Sequence, residues 1–133
     1  MTDDDSDLPG ADDIIEVHKQ IEKQENLTYT GSRVASPWLR LREDIIEEAE
    51  KRDGIYPRAA ALLRKTITRH VFEDGNKRTA WTVTVLYLKE QDTEPAVRGV
   101  DAERVLRRIR RYDIEEIAEW LKSGEIDEER LNP

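Results

Sequence analysis

The segment AWTVTVLYL, residues 80–88, constrains the fold more than any other part of this chain. It is apolar on nearly every side and is bracketed by Asn76-Lys77-Arg78 and Lys89-Glu90. Its β-branched residues suit a strand, but its length and charged flanks favour a helix buried in the middle of a bundle. Such a helix needs amphipathic neighbours on several sides, and the rest of the sequence supplies them.

Ile14, Val17, His18 and Ile21 fall at i, i+3, i+4, i+7 and predict a first helix over about 12–24. Asp13 with Glu16 has the spacing of a capping box at its start. Residues 26–35 read as a loop. Ser36-Pro37 reads as an N-cap followed by Pro at the first position of a second helix. That helix is expected to carry Trp38, Leu41, Ile45 and Ala49 inward and to end near Arg52. Asp53-Gly54 then turns the chain. Ile55-Tyr56 is too short for a standard strand and has the composition of a small extended flap. A third helix is expected from Pro57, with Ala60, Leu63, Ile67 and His70 on one stripe. Asp101 is the expected cap of a fifth helix with Ala102, Val105 and Ile109 inward. Asp113 with Glu116 repeats the capping-box spacing ahead of Ile114, Ile117, Ala118 and Leu121, and Ser123-Gly124 stops that helix. The sum is an all-α, compact bundle of about six helices with a short flap before the motif helix pair. Residues 1–10 are acidic, carry only Met1 and Leu8 as large apolar side chains, and are expected to be disordered. Residues 11–124 form the expected single helical domain, and 125–133 a polar, frayed C-terminal tail.

At 133 residues the chain can bury a core of its own. It has no cysteine, which removes disulfides, thiolate metal sites and a Cys nucleophile. No apolar run reaches the ~18 residues of a membrane span, and the acidic N-terminus lacks the basic and apolar regions of a secretory signal. The expectation is a soluble, cytoplasmic protein with no membrane association. The formal net charge of −8 disfavours direct nucleic-acid binding, which depends on clustered cations. Arg outnumbers Lys 15 to 7, and an acid-rich, Lys-poor composition fits a high-salt cytoplasm.

The chemistry concentrates in HVFEDGNKRTA, residues 70–80. This reads as a helix end, a tight loop and a new helix whose first turn carries Lys77 and Arg78. A helix N-terminus presents free N–H groups and a positive dipole end, and two cations there make an anion site. The alternative for both is solvated charge, but cations at a helix start oppose the dipole, a local cost that a bound anion would offset. Asp74 sits at the helix break, where its carboxylate can hold Mg²⁺, an ion satisfied by one or two carboxylates plus phosphate oxygens. An Asp-Gly turn with a side-chain cap is the plain structural alternative. Gly75 allows a tight bend and a close backbone approach to a ligand. Asn76, at the expected N-cap, can cap the helix or donate to a phosphate. His70 carries an imidazole, the side chain best suited to general-base work near neutral pH. A lone histidine on an apolar face is more often bonded to a core carbonyl, but the company His70 keeps points to chemistry. Phe72 is the expected anchor of the loop in the core.

These residues resemble the Fic/Doc family, whose signature reads His-x-Phe-x-Asp/Glu-Gly-Asn-Gly-Arg-x-x-Arg. His70, Phe72, Asp74, Gly75, Asn76 and Arg78 stand in register. Lys77 replaces a glycine of the signature, and Trp81 stands where the second Arg should be. Both departures match the Doc branch of toxins, which read Asn-Lys-Arg-Thr-Ala, as residues 76–80 do here. The resemblance implies a mostly helical bundle with the motif loop between two central helices. It implies that His70 deprotonates a target-protein hydroxyl, that Asp74 holds Mg²⁺ on the phosphates of ATP, and that Gly75, Asn76, Lys77 and Arg78 bind those phosphates. It also implies that the flap around residues 54–57 pairs with target backbone. Fic proteins usually transfer AMP. In Doc, loss of the second Arg goes with a reversed ATP and transfer of the γ-phosphate to a hydroxyl of the translation elongation factor Tu. With Trp81 at that position, the expected activity is kinase-like transfer to an elongation factor that arrests protein synthesis. AMPylation is the alternative, and a non-catalytic binding partner a further one. No Ser/Thr-x-x-x-Glu-Gly/Asn inhibitory motif is present, so control is expected in trans, from a Phd-like antitoxin.

Other features weigh less. His18, on the inner face of the first helix, is expected to be a core or supporting histidine. Arg104, Arg107, Arg108, Arg110 and Arg111 form the densest basic run and are expected to be a solvated face, with docking of an acidic antitoxin or target as the other reading. Trp38, Trp81 and Trp120 are expected to be core or groove lining. A His-Asn-His nuclease reading of His70 and Asn76 has little behind it, with two histidines and a negative chain.

Overall fold

The alanine run Ala59-Ala60-Ala61 decides which helix takes the centre. In the computed structural model, which describes residues 8–27 and 29–132, six helices pack into an all-α bundle. They are α1 (Ala11–Glu25), α2 (37–50), α3 (Ile55–Arg69), α4 (Asn76–Glu90), α5 (Gly99–Leu106) and α6 (Ile114–Ser123). Short 3₁₀ turns follow α5 at Ile109–Arg111 and α6 at Glu128–Leu131. Ala59 to Leu63 are five successive residues at 0% exposure, so α3 is covered on every side. Methyl-sized side chains let neighbours approach closely, and α3 packs against α2, α4 and α6, while α1 lies on α4.

The apolar helix expected at the centre is therefore not the hub. On α4, Ala80, Val83, Thr84, Tyr87 and Leu88 are buried, but Trp81 and Val85 are half-buried and Leu86 is 47% exposed. Within α2 a π-type turn at Leu41–Ile46 adds a residue to one turn and carries both Ile45 and Ile46 inward beside Leu41 and Ala49. Trp38, expected inside, is 47% exposed one turn earlier.

Several expected boundaries shift. Gly10, not Asp13, is the N-cap of α1. Asp13 sits at the third helical position, where its Oδ2 accepts from the Gly10 N–H at 2.9 Å. Asp101 likewise lies inside the first turn of α5, which Arg98 caps. The flap expected at Ile55-Tyr56 does not exist, because both residues belong to the first turn of α3. Gly54 precedes them at φ 105°, and Pro57 fits within a first turn that needs no N–H from it. Among the described residues the one extended pairing is an antiparallel bridge between Ser32 and Phe72. Of the N-terminal stretch expected to be disordered, residues 1–7 lie outside the described residues. Leu8 is not loose, since it packs against the core. No helix among the described residues is long and apolar enough to cross a membrane.

The tail after Gly124 is tied down instead of frayed. The Tyr112 hydroxyl donates to the Asp127 carbonyl at 2.8 Å, and the Arg111 guanidinium donates to the carbonyls of Arg130 and Asn132. Arg130 pairs with Glu116 at 2.7 Å and lies over the Tyr112 ring, 5.3 Å from its centroid. The predicted capping box of α6 is present: the Glu116 N–H donates to Asp113 at 2.8 Å, and the Asp113 N–H donates to Glu116 at 3.0 Å.

Glu116 thus joins a helix start to the tail. Arg130, and then the Asp113 N–H, hold its carboxyl below the ordinary 4.5. A depressed carboxylate stabilises the fold above its unfolded value, and that stabilisation disappears as pH falls through the depressed value. Acidification below about pH 4.5 should therefore lower the urea midpoint of the wild type more steeply than that of Glu116→Gln. Parallel acid slopes in the two proteins would contradict this linkage.

Candidate functional site

The site is built where α3 stops. His70 closes that helix in the left-handed region, at φ 51° and ψ 53°. A residue with a Cβ is strained there by about 1–2 kcal/mol, and strain of this sort gathers at functional positions. The backbone leaves the helix at His70, so the residue is half-buried on a cleft wall and does not extend the buried stripe of Ala60, Leu63 and Ile67.

The loop after His70 is clasped from three sides. Val71 and Phe72 are buried at 1% and 2% exposure, as the anchor role of Phe72 requires. Asn76 grips the Phe72 backbone at both ends: the Phe72 N–H donates to Oδ1 at 3.1 Å, and Nδ2 donates to the Phe72 carbonyl at 2.8 Å. From α1, the His18 ring stacks on Phe72 at 3.8 Å and 8°, and its Nε2 donates to the Asp74 carbonyl at 2.9 Å. This is the supporting role expected of His18. On the third side, the Arg33 N–H donates to the Val71 carbonyl at 2.7 Å and the Glu73 N–H to the Gly31 carbonyl at 3.1 Å. Glu22 closes the circuit, accepting from the Gly31 N–H at 2.6 Å while lying 3.8 Å from His18 Nδ1.

Gly75 is the N-cap of α4, at φ 79°; Asn76, expected there, is the first helical residue instead. A Cβ on Gly75 would meet Leu27 Cδ1 at 3.0 Å and Ile21 Cγ2 at 3.6 Å. The close approach that demands glycine is thus to side chains of α1 and of Leu27 just after it. The first helical bond of α4 is from the Thr79 N–H to the Gly75 carbonyl at 2.9 Å. The N–H groups of Asn76, Lys77 and Arg78 precede it and remain outside the helix's own bonding, at its positive end.

Lys77 and Arg78 are exposed at the mouth of a cleft of about 1140 Å³. Arg78 reaches Glu25 of α1 at 2.8 Å, both partners being partly solvated. Asp74 spends Oδ1 on the Gly75 N–H at 2.8 Å, the turn-capping alternative, and its other oxygen has no partner among the described residues. No cluster of three or more His, Asp or Glu side chains able to hold a metal occurs among the described residues. The unpartnered oxygen of Asp74, beside the helix N-terminus, still fits Mg²⁺ that would arrive with phosphate oxygens.

The structure brings His70, Asp74, Gly75, Asn76, Lys77 and Arg78 to one cleft. Asn76 differs from the expectation in that the residue is 6% exposed and its side-chain amide is committed to the Phe72 backbone, so it builds the loop. Trp81 lines the cleft and leans on the buried Trp120, with ring centroids 6.0 Å apart. Sequence reasoning missed the opposite wall, which is Arg107 to Arg111. The basic run was visible, but nothing in its spacing said that the end of α5 faces the start of α4.

A family model described as Fic/DOC family matches residues 8–88, and the chain belongs to that family. No curated protein and no solved structure matches it.

The clasp on Phe72 gives a near-isosteric test. Asn76→Asp removes the donor to the Phe72 carbonyl and sets an oxygen against it. A buried acceptor left without its donor costs about 1–3 kcal/mol, so chemical denaturation should report a loss of that size. A change within about 0.5 kcal/mol, typical of surface positions, would contradict the clasp.

Proposed function

We propose that this member of the Fic/DOC family is a Doc-like toxin that transfers the γ-phosphate of ATP to a Ser or Thr hydroxyl of a translation elongation factor. The observation that carries this reading is the placement of His70, on a left-handed backbone, across a five-residue loop from a helix N-terminus bearing Lys77 and Arg78. The unpartnered oxygen of Asp74 suits a nucleotide-borne Mg²⁺, which would neutralise charge on the transferring group. Trp81 at the place of the second Arg favours γ-transfer over AMPylation, since it removes a phosphate anchor from α4 and with it one way of holding the α-phosphate in line.

In this reading His70 accepts the proton of the target hydroxyl. The hydroxyl oxygen forms a bond to the γ-phosphorus, the bond from that phosphorus to the bridging oxygen breaks, and ADP leaves. The N–H groups at the start of α4, with Lys77 and Arg78, hold phosphate oxygens during the exchange. The strap at residues 31–33, paired with residues 71–73 beside His70, is the extended segment best placed to meet target backbone, in place of residues 54–57. An antitoxin resembling Phd would act in trans by covering this mouth.

Incubation with labelled ATP, Mg²⁺ and cell extract tests the reading. Label from the γ position should reach a protein of elongation-factor size, and label from the α position should not; the reverse result would establish AMPylation instead. His70→Ala should lower transfer by about 10²–10⁴-fold. Asp74→Asn keeps the acceptor for the Gly75 N–H and removes the charge. It should abolish Mg²⁺-dependent transfer with an unchanged melting temperature, and full activity would remove the metal role.

A further inference from the structure

The cleft inverts the sign of the molecule. The chain carries −8 overall, yet six cations line the cleft against four carboxylates. Two of the cations, Lys77 and Arg78, stand at the start of α4, and the other four belong to residues 107–111 on the opposite wall. Those four are not equivalent. Arg107 pairs with Glu103 at 3.2 Å, Arg110 donates to the Thr68 carbonyl at 3.4 Å, and Arg111 holds the C-terminal tail. Arg108 alone of the four has no side-chain partner among the described residues, and its Nε is buried without a hydrogen bond. The residue is half-buried on the cleft wall with no counter-charge of its own among the described residues, and a ligand anion in the cleft would supply one to the part of the guanidinium beyond the covered Nε.

The geometry points to Arg108 as a second phosphate anchor, binding from the α5 side a phosphate group of the nucleotide whose other end sits on the α4 N-terminus. This inference rests on the nucleotide reading of the cleft. Beyond Arg78 the helix α4 carries no cation until Lys89, and Trp81 on the cleft wall leans on Trp120, so a second anchor has to come from another element. The backbone that carries Arg108 is held in place, because its own N–H donates to the Val105 carbonyl and its carbonyl accepts from the Arg111 N–H, each at 2.9 Å. A planar fork on a fixed backbone recognises phosphate oxygens in pairs.

The test is the dependence of affinity on phosphate count. Calorimetry on the full chain with Mg²⁺ should show wild type binding ATP more tightly than AMP. Arg108→Gln should weaken ATP by about tenfold or more while leaving AMP nearly unchanged, since a hydrogen bond to a charged group is lost for one ligand only. Arg104→Gln, on the same run but paired with Glu128 outside the cleft, should leave the ATP-to-AMP ratio as in wild type. An unchanged ratio in Arg108→Gln overturns the inference and leaves the proposed activity standing. So does normal ATP binding combined with lost transfer to protein, which would place the guanidinium on the target. If the wild type binds no nucleotide, the reading of the cleft fails and this anchor with it. Should Arg108→Gln not fold, Arg108→Lys decides: it keeps the charge but not the fork, so a several-fold loss for ATP is expected, and an unchanged ratio refutes the role.

Discussion

Everything at the cleft depends on the grip that Asn76 keeps on the backbone of Phe72. The two hydrogen bonds close a small ring between the loop and the first residue of α4, inside the protein, where an unmade bond is expensive. Once that ring is closed, the direction of α4 relative to the loop is fixed. Its N-terminus must then face the same cleft as the residue that ends α3. His18 and the strap at residues 31–33 lock the loop from outside the ring, and Glu22 connects those two supports. One asparagine thus carries a geometric burden that reaches α1, α3 and α4 together.

The circuit also explains how His70 can stay in the left-handed region. An isolated chain would relax a residue with φ 51° by continuing or unwinding the helix. Here Val71 and Phe72 are buried immediately after it, and their backbone groups are taken by Arg33 and Asn76. Relaxing His70 would mean exposing Phe72 and breaking those bonds. The strain is therefore borne by folding and not by ligand binding, which leaves the imidazole and the α4 amides positioned before any anion arrives.

Much of this was legible in the sequence because it is local. The capping box of Asp113 and Glu116, the αL stop at Gly124, the anchor role of Phe72 and the inward faces of α1 and α6 follow from spacing within one or two turns. The gathering of His70, Asp74, Gly75, Asn76, Lys77 and Arg78 at one cleft was legible for the same reason, since the six lie within nine positions. The features that spacing misplaces are non-local. Whether α3 or α4 takes the centre depends on how closely neighbours approach, and three alanines outweigh a longer apolar run. Ile55 and Tyr56 suit an extended chain, which is why a flap is expected at 54–57, but pairing needs a partner strand, and the chain near the motif is residues 31–33. The same limit applies to Arg108, whose neighbours across the cleft are set by tertiary contacts and not by its place in a basic run.

The ion pair between Arg78 and Glu25 bears on how open the site is. At 2.8 Å it could be taken for a lock on the anion site. Its side chains are 59% and 33% exposed, however, and an ion pair so solvated is worth about 1 kcal/mol or less. A phosphate group carries more charge than a carboxylate, adds the N–H groups of the α4 first turn, and would draw on Lys77 as well. In the nucleotide reading proposed above, exchange of Glu25 for phosphate would therefore be favourable. In that same reading Glu25 is a weak local partner that holds the guanidinium near the mouth, in a chain whose overall negative charge offers an unpaired arginine many other carboxylates.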